Sequence, residues 1–283
     1  MPAKYEDRLL RVLRHIHDNP AGDLSLDALA EVAAMSRFHW HRVFHAMTGE
    51  SCAEAVRRAR MYRAAAALVQ GDRPLRLIAG DVGYPSQQSF TRAFRAAYGL
   101  TPGAFRHRGV LVPPHCPASK GDHPMYPVET LDQPARRLAA LPHRGAYIRI
   151  GETFDAVAAI FSARGLWPHA QEMIGVYYDD PAAVAEGDLR SKAGIVIDEE
   201  VTLAAPLEEV RLPAGRYAVM HYKGPYPGLE AAYKYLYGDW LAGTDEEPGD
   251  HPPIEIYLND PRNIAPEDLL TDVCVPLRAE VVA

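Results

Sequence analysis

The stretch GYPSQQSFTRAFRAAYG, residues 83–99, decides how the first half of this chain is read. It opens on a turn, with Ser86 standing where a helix N-cap belongs and Gly99 placed to stop the helix. Phe90 and Phe94 recur at helical spacing and are read as core, which leaves Gln87, Gln88, Thr91, Arg92 and Arg95 on the other face. Glutamine and arginine can make paired hydrogen bonds to base edges in the major groove of DNA. Taken alone, this face suits an ordinary surface helix equally well.

The same plan occurs 50 residues upstream, where Ser36, Arg42, Phe44 and Gly49 correspond to Ser86, Arg92, Phe94 and Gly99. Repetition at a fixed offset outweighs either copy alone. Each copy follows a short helix and a tight turn. LSLDALAEVAAMS opens on Ser25, and PLRLIAGDVGYPS has Pro74 at a favoured first-turn position. Between the copies, SCAEAVRRARMYRAAAALVQG reads as one helix of about 20 residues, or ~30 Å, near the ~34 Å of one duplex turn. Ahead of them, Tyr5, Leu9, Val12, Leu13 and Ile16 mark a further amphipathic helix. A short helix, a turn and a second helix, occurring twice, predict an all-α twin helix-turn-helix domain over residues 1–110. His39, His41 and His45 share one helix, but the His41/His45 pair has no acidic or thiol companion nearby. Hydrogen-bonding or phosphate-facing roles are expected for them over a metal site.

The net charge of −7 hides a split. Residues 1–110 carry 16 Lys and Arg against 10 Asp and Glu, while residues 111–283 carry 14 against 27. A basic half beside an acidic one fits a polyanion partner for the first alone. The N-terminus has no apolar leader run, and no stretch approaches the ~18 apolar residues of a membrane span. The three cysteines form no close pair, so a cytoplasmic protein without membrane contact is expected. The halves meet at 111–127, a Pro-rich linker whose His115, Cys116 and His123 are too sparse for a metal site.

The acidic half, 128–283, is doubled as well: MIGVYYDDP (173–181) parallels PIEIYLNDP (253–261) at an offset of 80. DLRSKAGIVI and DLLTDVCVPL follow at the same offset, and HRGAYIRIGETFDAVAAIF parallels HYKGPYPGLEAAYKYL. The pattern predicts an α+β domain of two pseudo-twofold-related strand-helix-strand-strand units with a groove at their seam. Eleven of the fifteen tyrosines lie after residue 110, and aromatic walls suit flat or cationic organic ligands. Tyr147, Trp167, Tyr177, Tyr222, Tyr226 and Trp240 are the expected wall residues. Glu255 interrupts an apolar strand where the first copy has Gly175. Strand alternation puts it on one face with Tyr257, either at a pocket floor or turned to water.

Residues 5–108 resemble the DNA-binding domain of the AraC/XylS transcription regulators, most closely over IAGDVGYPSQQSFTRAFRAAYGLTPGAFR (78–106), with Gly80 a departure. The resemblance implies that Arg37, Phe38, His41 and Arg42 face DNA from the first recognition helix, and Gln87, Gln88, Thr91 and Arg92 from the second. Residues from about 125 onward resemble the GyrI-like small-molecule-binding domain, the effector domain of several multidrug-responsive regulators. Together the resemblances imply a one-chain, ligand-responsive regulator that binds duplex DNA and a cationic or aromatic effector, works with RNA polymerase, and needs no cofactor. The alternative is slow hydrolysis of a small hydrophobic substrate, with a pocket glutamate and tyrosine as base and acid. No nucleophile–His–acid set, phosphate loop or HExxH motif is present, so a sensor rather than an enzyme is expected.

Overall fold

The computed structural model of the chain describes residues 3–110 and 125–279, so most of the expected linker, with His115, Cys116 and His123, lies outside the described residues. Chain contacts gather the described residues into two compact units: 3–35 with 47–110, and 36–46 with 125–279.

The first unit is helical. It holds α1 (Ala3–Asp18), α2 (Leu26–Ala33) and the last residues of α3 (Arg37–Thr48). It continues with α4 (Cys52–Val69), α5 (Leu75–Asp81), α6 (Gln87–Tyr98) and α7 (Pro102–Arg108). Ser25 and Ser86 cap α2 and α6 by accepting the amides of Ala28 and Ser89. At α4, Ser51 and Glu54 satisfy each other's amides reciprocally. Gly49 and Gly99 take the left-handed conformation that ends the two repeated helices. Met61, Ala64 and Leu68 of α4 pack with Ile78, Phe90, Phe94 and Phe105, so the phenylalanines of the repeat are core as expected.

Ser36 differs from its repeat mate. Its carbonyl receives the amides of His39 and Trp40, but its hydroxyl is buried and makes no hydrogen bond, so the expected side-chain cap is absent.

The second unit is built on one antiparallel sheet. Its strands are β1 (Val128–Gln133), β2 (Arg136–Arg144), β3 (Ala170–Tyr177) and β4 (Arg190–Ile197), then β5 (Glu208–Leu212), β6 (Gly215–Lys223), β7 (Ile254–Tyr257) and β8 (Leu270–Pro276). Helix α8 (Ile150–Arg164) follows β2, and α9 (Leu229–Tyr235) follows β6 and continues into a π-helical turn, Leu236–Trp240. The spatial order β1-β6-β8-β7-β3-β4-β2-β5 is symmetric about the β3–β7 pair. Each copy therefore has one strand more than expected, and these leading strands are exchanged: β1 pairs with β6 of the second copy, β5 with β2 of the first. Neither has an apolar alternation to announce it, since VETLDQ is largely exposed.

One face of this curled sheet buries Leu138, Ile174, Val176, Val219, Ile254 and Ile256 among themselves. On the other, α8 lays Val157 and Phe161 on Ala139, Ile195 and Ile197. The alternation of β3 and β7 then turns Met173, Gly175 and Tyr177, with Glu255 and Tyr257, toward the helical side.

The two serines make a paired test of helix capping. Ser51→Ala should cost roughly 1 kcal/mol through loss of the cap, whereas Ser36→Ala should be neutral or stabilising because it removes an unpaired buried hydroxyl. Urea melts of both variants check this, and equal losses would contradict the assignment.

Candidate functional site

The pairing of β3 with β7 sets Gly175 directly opposite Glu255, its own equivalent in the other copy. The pseudo-twofold axis passes between them, and only one of the two positions carries a side chain. Gly175 leaves its side-chain space to Tyr177: a Cβ on Gly175 would lie 2.8 Å from the Tyr177 ring. The Tyr177 hydroxyl is hydrogen-bonded to that of Tyr257, again its own equivalent. Glu255 is buried on this floor, accepting from Tyr233 at 3.0 Å through Oε1 and from Tyr257 at 2.8 Å through Oε2. Burial pushes its carboxyl above the ordinary carboxylate range, against the pull of the Tyr257, Tyr233 and Tyr177 hydroxyls and the Arg42 guanidinium.

Above this floor lies a cavity of about 850 Å³, large enough for a drug-sized molecule. Both copies line it in matching places: Tyr147 and Tyr226, Ile150 and Leu229, Phe154 and Tyr233, Ala158 and Tyr237. At the floor and on the facing helices the copies diverge. Phe154 and Ala158 of the first copy stand where the second has the hydroxyls of Tyr233 and Tyr237, and Gly175 stands where it has the carboxylate of Glu255.

Of the residues expected to hold a ligand, Glu255, Tyr257, Tyr147, Tyr177, Tyr226 and Trp167 come together here. Two do not. Tyr222 is buried beside the cavity, its hydroxyl donating to the Pro225 carbonyl and its ring against Tyr126. Trp240 lies half-buried on the π-helical turn, outside the lining. The lining adds Tyr233 and Tyr237, whose rings stack 6.3 Å apart and 8° from parallel. Their four-residue spacing on a helix was the available signal.

The cavity also takes Arg42, His45 and Ala46 from the segment 36–46. Arg42 donates to the carbonyls of Phe38 and, at 2.6 Å, of Asp179, with its guanidinium 5.8 Å from the Tyr233 ring centroid and 6.0 Å from that of Tyr237. His39 bonds the Tyr237 hydroxyl and the His251 carbonyl, both at 2.8 Å. Burial lowers His39 to about 3, so this ring is neutral. His41 reaches Asp180 at 2.9 Å, and burial lowers it too, against the pull of that carboxylate. Arg42 is thus the buried positive charge of the packed segment, Arg37 being exposed.

The residues expected to face DNA are divided accordingly. Gln87, Gln88 and Arg92 are exposed on α6, and Thr91 is half-buried with its hydroxyl returned to the Gln87 carbonyl. On α3, Arg37 is exposed and Phe38 half-buried near Tyr178. His41 and Arg42, at 3% and 7% exposure, face the cavity side instead of outward, because their hydrogen-bond partners lie there. Among the described residues no cluster of ligands suited to a metal ion occurs, and no helix is long and apolar enough to cross a membrane.

Twin helix-turn-helix motifs in one chain with a carboxylate-floored aromatic cavity define a regulator that joins small-molecule binding to DNA binding. Residues 126–278 match the GyrI-like small molecule binding domain, and residues 29–108 match a helix-turn-helix domain. Regulatory protein SoxS of Escherichia coli (strain K12) is 35% identical over 103 residues, which are 36% of this chain and 92% of SoxS. Among solved structures, the EcmrR C-terminal domain aligns with 54% of this chain and 98% of its own at 14% identity and a TM-score of 0.45. A hydrolase from Listeria innocua aligns with 56% and 94% at 16% identity and a TM-score of 0.38. The chain belongs to the AraC family of transcription regulators and carries a GyrI-like small-molecule-binding domain.

The buried carboxylate has a pH signature. Its value in the fold is raised, so the stability of its neutral form is present below the ordinary carboxylate pKa and lost as pH rises through the folded value. Glu255→Gln imitates the neutral form. The variant should melt above the wild type at about pH 8, by roughly 2–4 °C for each kcal/mol, with the gap closing toward about pH 4. A gap of the same size at both pH values would refute the assignment.

Proposed function

We propose that this regulator senses a flat organic cation held over Glu255, and that it reads duplex DNA through α3 and α6. The observation that carries the reading is a buried carboxylate whose surroundings are aromatic faces and hydroxyls. A bound cation would offset the cost of ionising Glu255, and ring faces attract cations most strongly where water is excluded. The second copy, which supplies the carboxylate and Tyr233, Tyr237 and Tyr257, would receive the charged end. The wall formed by Ile150, Phe154 and Ala158 of the first copy would take the hydrophobic body.

Binding without turnover is the reading the lining supports. Among its described residues there is no serine, threonine or cysteine to act as a nucleophile, and both oxygens of Glu255 are engaged by tyrosines. Cytoplasmic residence and contact with RNA polymerase follow from the regulator's role and rest on it.

The charge preference is measured by calorimetric titration of 2-naphthamidine, a planar cation, against neutral 2-naphthamide of nearly equal shape. Glu255→Gln should weaken the cation by at least about tenfold, or ~1.4 kcal/mol, and leave the amide unchanged. Equal losses for both would mean that Glu255 shapes the cavity without selecting charge.

On the DNA side, Arg92→Ala is assayed by gel shift across single-base variants of a duplex selected from a random library. If Arg92 reads a guanine, its loss should cost ~1–3 kcal/mol and relax one position. If it holds a phosphate, affinity should fall for every sequence and the salt dependence should shrink. No change in either quantity would return α6 to an ordinary surface helix.

A further inference from the structure

Arg42 and Arg92 hold the same position in their repeats and meet opposite surroundings. Arg92 is exposed on α6, whereas Arg42 is 7% exposed and lines the cavity. The Arg42 guanidinium is itself a planar, delocalised cation, and it lies over the stacked faces of Tyr233 and Tyr237. Tyr233 joins it to the floor, receiving the cation on its ring and giving its hydroxyl to Glu255. Among the described residues Arg42 forms no ion pair, and its hydrogen bonds go to main-chain carbonyls. The same aromatic faces that would hold a ligand's charge hold this side chain.

We propose that Arg42 is an internal occupant of the cation subsite, and that an amidinium- or guanidinium-class ligand displaces it and thereby frees residues 36–46 for DNA. The proposal rests on the ligand-responsive reading above and adds to it a ligand class and a switch. Other bonds set the strength of the closed state. His39 is tied to Tyr237 and the His251 carbonyl, and His41 to Asp180. Tyr237, in particular, serves both the subsite and the segment, so a ligand that shifts its ring loosens His39 as well. Only displacement makes the two kinds of occupancy exclusive. Ligand binding and burial of 36–46 then oppose each other, and by linkage each weakens the other by the same factor.

Three measurements on the full chain test this. First, hydrogen exchange without ligand compares wild type with Arg42→Gln, which keeps hydrogen-bonding capacity and removes the charge. Residues 36–46 should exchange at least about tenfold faster in the variant, and unchanged protection would overturn the holding role of Arg42.

Second, 2-naphthamidine should bind Arg42→Gln at least about tenfold more tightly than wild type, its competitor being gone, while 2-naphthamide binds both alike. Equal cation affinities, or a weaker one for the variant, would overturn displacement and leave the cationic-effector reading standing. No heat from either protein with the cation would sink that reading, and displacement with it.

Third, Ala46→Cys with Gly238→Cys provides a lock independent of Arg42. The position of a Gly238 Cβ is 3.0 Å from Ala46 Cβ, close to the ~3.5–4.5 Å of a disulfide. Failure of this cross-link to form in the folded protein would overturn the packed position of 36–46. With the cation present, the reduced protein should protect two adjacent major-groove segments of its selected duplex and the oxidised protein one. Identical footprints would show that 36–46 need not leave the cavity.

Discussion

The buried carboxylate of Glu255 is the constraint on which the sheet unit depends. It stands beside the pseudo-twofold axis opposite Gly175, whose missing side chain leaves room for the Tyr177 ring. An ionisable group there would be a liability in a protein built only for stability. Around it the tyrosines are arranged as donors: Tyr233 and Tyr257 both point their hydroxyls at the carboxylate, and Tyr177 completes the chain through Tyr257. The arrangement favours a negative charge as far as neutral groups can, and the Arg42 guanidinium adds to that pull.

Duplication explains the shape of the site, and divergence explains its polarity. Symmetry supplies paired walls, with Tyr147 facing the role of Tyr226 and Tyr177 that of Tyr257. The second copy has hydroxyls and a carboxylate at Tyr233, Tyr237 and Glu255, where the first has Phe154, Ala158 and Gly175. The buried carboxylate lies on the second copy's side of the floor alone, so the cavity is not symmetric about its axis. The exchanged strands β1 and β5 tie each copy to the other through the sheet margins.

The helical repeat shows the same economy. Trp40 and Phe44 match Phe90 and Phe94 as buried ring positions, all of them within 1% exposure. Between them, His39 and His41 replace Ser89 and Thr91, and each histidine finds a partner in the sheet unit. The substitutions that separate α3 from α6 are thus the ones that let α3 pack a second way. Neutral imidazoles suit that packing, since they bring hydrogen-bonding capacity without a second charge beside Arg42.

Periodicity and repetition made much of this legible. The caps of α2 and α6, the glycine stops and the phenylalanine cores followed from spacing, because a helix cap and a buried ring are local demands on local residues; the cap expected of Ser36 did not form. The 80-residue offset and the Gly175–Glu255 mismatch likewise pointed to a groove with an odd carboxylate. The amino-acid sequence could not place Tyr222 and Trp240 outside the cavity or Tyr233 inside it, since aromatic residues serve core and pocket alike. Strands β1 and β5 escaped notice for want of an apolar face, their pairing being supplied by main-chain hydrogen bonds to distant partners. The environment of Arg42 was beyond any local reading: its repeat mate has the same residue in the same frame, and only contacts with residues 135 and more positions away turn it inward.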